Sequence, residues 1–268
     1  MVTEQYRQNM PMARVVAIAN QKGGVAKTTT AITLAAAMAE HGKRVLLIDL
    51  DAQACATFSL GIDPEDLPAG ESAALLLENI DSQELARRMK RVICETSDGV
   101  WLVPAAMDLA SADFALAQRA DREKILKSAL EFMRDDFDYI IIDCSPSLGL
   151  MTINALIAAD DVVVPLKCET LSHRGMGQLM ETIDQVRRWS NPHLRVAGIV
   201  PTLFDGRTVH AQAVLADLGP RYDVPVFDPI PRSIRFAEAP AVGRTILATA
   251  PGSDGARAYR DLAQALLD

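Results

Sequence analysis

Two lysines and two threonines set around a glycine pair are the residues of this chain best suited to hold phosphate. They lie in the run Gln21-Lys22-Gly23-Gly24-Val25-Ala26-Lys27-Thr28-Thr29, directly after the apolar stretch that ends at Asn20. A glycine-bearing loop between a strand and a helix turns successive backbone N–H groups inward, and the helix N-terminus adds its positive end. Lys27 is placed to reach β- and γ-phosphates, and the Thr28 hydroxyl to ligate Mg²⁺. The usual phosphate-loop pattern G-x-x-x-x-G-K-[ST] nevertheless fails at both glycines, where Gln21 and Ala26 stand, and G-x-G-x-x-G fails as well. What remains is K-G-G-x-x-K-T. Lys22 is surplus to a loop that already has Lys27, which suits a lysine pointing to phosphate held by a second subunit.

Carboxylates follow two other apolar runs. Asp49 and Asp51 close Arg44–Asp49, and Asp143 closes Tyr139–Asp143. Ligands of open α/β sheets collect at such strand ends. Phosphoryl transfer needs a metal to neutralise charge and a group to orient the attacking water, and carboxylates supply both.

The elements that must position these groups alternate along the chain. Extended apolar runs at Arg14–Ala19, Arg44–Asp49, Val100–Pro104, Tyr139–Asp143, Asp161–Leu166, Arg195–Pro201 and Val226–Ile230 predict strands. Helical patterns lie between them at Thr28–His41, Leu109–Met133, Thr170–Trp189 and Val209–Leu218. Such alternation predicts one α/β domain, a mostly parallel twisted sheet flanked by helices, over residues 14–268. The polar residues 1–13 are expected to form a disordered tail. No apolar run approaches the ~18 residues of a membrane span, and Val15–Ala19 is too short for a secretory signal. Cys55, Cys94, Cys144 and Cys168 show no C-x-x-C spacing and are expected to be reduced thiols of a cytoplasmic protein.

QKGGVAKTTT resembles the deviant Walker A motif of the ParA/Soj partition ATPases, within the class that includes MinD. The likeness continues through LLIDLDAQACATFSLGI, YIIIDCSPSLGLMTINAL, CETLSHRGM and IPRSIRFAEAPAVGRTI, nearly to the end of the chain. It implies a deviant P-loop NTPase fold and an ATPase using ATP and Mg²⁺. It also implies an ATP-dependent homodimer, nonspecific DNA as a partner, and a ParB-like protein or cargo adaptor that stimulates hydrolysis. Residue by residue, Gly23 through Thr29 would bind the phosphates and Lys22 would act across the dimer. Thr28 and, through water, Asp143 would hold the metal. Asp51 matches the switch I aspartate that supports hydrolysis, and Asp49 is expected to orient its loop. Pro231 matches the residue packed on adenine, while Arg207 and Arg235 match arginines that contribute to DNA binding. Ala52, Ala54-Cys55 and Ser145 replace, in turn, a proline, Gly-Asn and another proline that are frequent in the family.

Net charge alone argues against DNA: 27 Lys+Arg stand against 35 Asp+Glu, a formal −8. Between Arg187 and Arg244, however, eight arginines face five acids, and arginine suits bidentate phosphate contact. A nucleoid-associated location would follow. Two other readings of the same loop make specific demands. A membrane-associated MinD-like positioning ATPase needs a basic amphipathic end, whereas SDGARAYRDLAQALLD carries two arginines against three aspartates and reads as a helix docked on the domain. A metabolic P-loop enzyme needs turnover that depends on a small-molecule acceptor.

Overall fold

Val- and Ile-rich runs with no polar alternation must be covered on both faces, and the sheet they form is so covered. The computed structural model describes residues 12–78, 80–169 and 172–268. Its strands are β1 (Arg14–Ile18), β2 (Val45–Leu50), β3 (Cys94–Glu95), β4 (Trp101–Val103), β5 (Tyr139–Cys144), β6 (Asp161–Lys167) and β7 (Arg195–Thr202). The helices are α1 (Lys27–Glu40), α2 (Cys55–Ser59), α3 (Ser82–Val92), α4 (Asp108–Leu116), α5 (Ile125–Glu131), α6 (Leu150–Ala158), α7 (Ser172–Trp189), α8 (Val209–Tyr222), α9 (Arg235–Glu238), α10 (Ile246–Thr249) and α11 (Asp254–Leu267).

The seven strands run in the order β3-β4-β2-β5-β1-β6-β7, and only β3 is antiparallel to its neighbour. This order decides the site. β5 lies between β1 and β2, with Asp143 in register with both Ile18 and Asp49. The loop after β1 and the two carboxylate strand ends therefore meet at one edge, beside the point where successive crossovers part.

The mostly parallel sheet agrees with the sequence reading, and six strands lie within one residue of their expected ranges. Three expectations need correction. Val226–Ile230 is no strand: it follows β7 through an isolated bridge, Ile199 to Val226, and Pro229 lacks the N–H a ladder requires. The expected helix Leu109–Met133 is two helices, α4 and α5. The polar segment between them turns where Arg119 pairs with Asp121 two residues on (2.9 Å), and Asn154 Nδ2 donates to Arg122 O (2.7 Å). Thr170 and Leu171, the expected start of the next helix, lie outside the described residues, as do residues 1–11 of the expected tail. Ala13 is buried and donates its N–H to Arg134 O (2.9 Å), so it belongs to the fold.

Ala-rich α1 buries most of its surface, since small side chains let sheet and helix approach from several sides. The C-terminal α11 docks on it as expected, burying Tyr259, Leu262, Ala263 and Leu266. Fully buried Tyr259 needs a partner for its hydroxyl, and Thr30 Oγ1 lies 2.9 Å away. Tyr259→Phe leaves that threonine unpaired. The expected cost is about 1–3 kcal/mol, read as a lower urea midpoint at unchanged slope.

Candidate functional site

The loop after β1 keeps its donors available. Among the described residues, no backbone carbonyl takes the N–H groups of Gly23 to Thr29; the first such bond is Thr30 N to Ala26 O (2.9 Å). Ala26, where the usual motif has glycine, adopts the left-handed conformation a glycine would (φ 63°). It stands at the N-cap of α1 and offers no side-chain cap, so the helix's first N–H groups converge on the loop's hollow. A second alanine behaves alike: Ala54, at a frequent glycine position, has φ 51°.

Lys27 is buried, and its ammonium donates to Lys22 O (3.0 Å), which folds the loop back over its own lysine. Burial, first, lowers its pKa, and the charge of Asp143 opposes that shift. Asp143 is the most telling group. It is buried, and among the described residues neither carboxylate oxygen has a hydrogen-bond partner. Burial, then the charge of Asp49, raises its pKa well above the ordinary range, against the opposing influence of Thr28 and Lys27. An orphaned buried carboxylate beside a lysine and a threonine hydroxyl fits a metal held through water, because a divalent cation supplies the missing countercharge.

Asp49 has a different job. Its Oδ2 accepts from the N–H and hydroxyl of Thr57 (2.8 and 2.7 Å), and its Oδ1 from Asp51 N (3.3 Å). Thr57 Oγ1 in turn accepts from Ala105 N (2.8 Å). Asp49 thus ties the loop carrying Asp51 to α2 and to the segment after β4, as expected of a residue that orients the loop. The half-buried Asp51 accepts from Gln53 N (3.1 Å) in its own turn, and its charge acts on both Lys27 and Asp143.

Lys22 does not enter its own loop's hollow. Its ammonium pairs with Glu169 (3.1 Å), which Lys167 also holds. Glu169 and Lys167, at the end of β6, were not singled out by sequence, although Glu169 sits inside the quoted CETLSHRGM motif.

The residues matched to adenine and DNA contacts fall together. Phe204 bridges Pro231, with Phe204 N donating to Ile230 O (3.0 Å) and Arg232 N to Phe204 O (3.1 Å). The loop bearing Arg207 and the segment bearing Pro231, Arg232 and Arg235 are therefore one surface. Arg207 is exposed and forked onto Asp205 (2.8 and 2.7 Å); Arg235 pairs with Glu238 (2.8 Å). The Arg207 bonds, and secondarily the charge of Arg232, hold the Asp205 carboxyl down to about 2. Exposed Arg232 joins this cluster. Doubled arginines in PRSIR were the sequence signal for it. The arginine-rich stretch as a whole is less available than its count suggests. Arg195 shares buried Asp161 with Arg14, Arg244 is tied to the buried side chain of Asp98 (2.5 Å), and Arg187 donates to Leu194 O (2.8 Å).

The profile of a family described as an AAA domain matches residues 13–196. The sporulation initiation inhibitor protein Soj of Bacillus subtilis is 41% identical, with 94% of this chain and 98% of Soj covered. The chromosome-partitioning ATPase Soj of Thermus thermophilus is 44% identical over 95% of both chains. The chain belongs to the ParA/Soj family of P-loop ATPases. A Mycobacterium smegmatis structure described as cobyrinic acid a,c-diamide synthase with bound ADP and magnesium is 48% identical, at TM-score 0.81, covering 96% of this chain and 94% of that one. Apo McdA from Cyanothece, at 23% identity and TM-score 0.83, shares the fold. Within a ParA/Soj chain, then, the K-G-G-x-x-K-T loop, Asp51 and Asp143 converge on one edge, and Arg207, Arg232 and Arg235 lie on an adjoining surface.

Proposed function

We propose that this protein is a DNA-partition ATPase whose ATP-bound dimer holds nonspecific DNA and is released after hydrolysis stimulated by a ParB-like partner or cargo adaptor. The observation that supports this reading is the bridge between Phe204 and Pro231, which sets the segment bearing Arg232 and Arg235 against the loop bearing Arg207. Exposed ion pairs are weak, so Arg207 and Arg235 exchange their own carboxylates for DNA phosphates at little cost. Dimerisation doubles the arginine surface, and a monomer with formal charge −8 holds DNA weakly.

ATP with Mg²⁺ supplies the phosphoryl group and the charge neutralisation that its transfer needs. The chain's own residues do the rest. Gly23 to Thr29 bind the phosphates through their N–H groups, and Lys27 leaves Lys22 O to contact them. Thr28 and Asp143, the latter through water, orient the metal; Asp51 orients the attacking water; Pro231 packs on adenine. Lys22, exchanging Glu169 for phosphate in the facing subunit, makes each site depend on the other copy. The protein would be cytoplasmic and associated with the nucleoid.

The likeness to a structure described as a diamide synthase favours a second reading, in which ATP activates a carboxylate for amidation. A glutamine-dependent synthase needs an activated cysteine to release ammonia. All four thiols here are shifted away from the thiolate: burial pushes Cys168 up to about 11 and raises Cys55, Cys94 and Cys144. The membrane reading loses its vehicle, because the apolar face of α11 is buried on α1. Among the described residues no helix is long and apolar enough to cross a membrane. Measuring phosphate release separates the first two readings. The partition reading expects turnover indifferent to glutamine and to a polycarboxylate acceptor. Turnover that requires both supports the synthase.

A further inference from the structure

The end of β7 touches the phosphate loop on one side and the arginine surface on the other. Buried Thr202, its last residue, donates its hydroxyl to Val25 O (2.9 Å). Val25 is itself buried, and its carbonyl belongs to the same planar trans peptide as the N–H of Ala26. In a trans peptide the C=O and N–H point in opposite directions. A hydroxyl that fixes the Val25 carbonyl therefore aims the Ala26 N–H away from Thr202, at the N-cap of α1.

Leu203 follows with φ 50°, a left-handed backbone that a branched side chain adopts only under constraint. The constraint lies on both sides of it: Thr202 is held by the phosphate loop, and Phe204 by Ile230 and Arg232. Arg207 comes three residues after Phe204, its N–H bonded to Asp205 Oδ1 (3.1 Å). One short segment is thus clamped between the phosphate cradle and the Pro231 segment and carries the arginine at its far end.

We propose that Thr202 and the strained Leu203 are positioning residues that couple occupancy of the phosphate loop to the placement of Arg207 and Arg232. The inference rests on the partition reading and gives its ATP switch a route within one subunit. Phosphate drawn onto the Ala26 N–H pulls on the Val25–Ala26 peptide and so on the Val25 carbonyl that Thr202 holds. Thr202 follows the carbonyl, and the arginine loop is reset through Leu203. Coupling of this kind is reciprocal in binding free energy: whatever factor ATP adds to DNA affinity, DNA adds to ATP affinity.

The test is fluorescence anisotropy of a labelled duplex with wild type, Thr202→Val, Thr202→Ser and Leu203→Gly. Each is measured without nucleotide and with a non-hydrolysable ATP analogue at saturation for that variant. The expected result is that Thr202→Val loses at least about fivefold of the analogue-induced gain in DNA affinity, Thr202→Ser restores it, and Leu203→Gly weakens it while binding the analogue normally. Should Thr202→Val fold poorly, Leu203→Gly carries the test, since it leaves the Thr202 hydroxyl in place. The inference is overturned if both Thr202→Val and Leu203→Gly keep the wild-type gain, or if the serine variant fails to rescue. A wild type with no analogue-induced gain overturns the partition reading instead.

Discussion

Asp51→Ala binds ATP with nearly wild-type affinity and loses turnover by a factor on the order of 10²–10⁴, the usual contribution of a group that positions or activates the attacking water. The separation of binding from turnover follows from where Asp51 stands. The proposed phosphate cradle is the loop after β1 together with α1, and among the described residues none of its hydrogen bonds passes through Asp51. Asp51 hangs instead on the end of β2, its N–H held by Asp49 and its charge acting on Asp143. Removing the carboxylate leaves Asp49 and its bonds to Thr57 in place, so the loop keeps its path. Nucleotide affinity by fluorescent analogue and phosphate release in the same preparation check both halves. Unchanged turnover contradicts the assignment.

Lys22→Ala is expected to weaken ATP-dependent dimerisation and, at concentrations where the dimer still forms, to lower turnover by about 10³ or more, the range for a cationic side chain supplied from a partner to a transferring phosphoryl group. In the single chain the Lys22 ammonium rests on Glu169, whereas Lys27 is the buried lysine of the loop. If Lys22 works across the dimer, two inactive variants rescue each other. In a dimer of Lys22→Ala with Asp51→Ala, the first subunit keeps Asp51 and receives Lys22 from the second. Random pairing then restores roughly a quarter of wild-type turnover, since half the dimers are mixed and each has one complete site. A lysine acting within its own loop gives no rescue, because neither subunit then has both residues.

Six strands were legible from sequence because they fall in apolar runs, whereas the two-residue edge strand β3 (Cys94–Glu95) has no such run and left no signal. Asp143 was legible for the same reason, since a carboxylate ending such a run has one place to be. Several features were hidden by their physics. Ala26 and Ala54 hold left-handed backbones that alanine does not advertise, imposed by the loops around them. The stretch 226–230 looks like a strand by composition, yet Pro229 removes the donor and leaves only bridges. Arg195 and Arg244 look like surface cations, but each has a buried aspartate side chain as partner from a distant part of the chain, which no local pattern records. The bridge from Phe204 to Pro231 is likewise invisible locally, and it changes the charge argument most. A modest excess of arginine spread over a long stretch becomes three arginines on one surface.

That surface makes the central claim measurable in a single titration. The affinity of duplex DNA of arbitrary sequence is followed against salt, with the non-hydrolysable ATP analogue and with ADP. Neutralised phosphates release counterions, so binding through the arginines falls steeply and linearly on a log–log plot. The expected result is tight, sequence-independent binding with the analogue, a slope of several phosphate contacts that shrinks in Arg207→Ala/Arg232→Ala, and weak binding with ADP. Equal DNA affinity with analogue and ADP, or a slope near zero, contradicts the account.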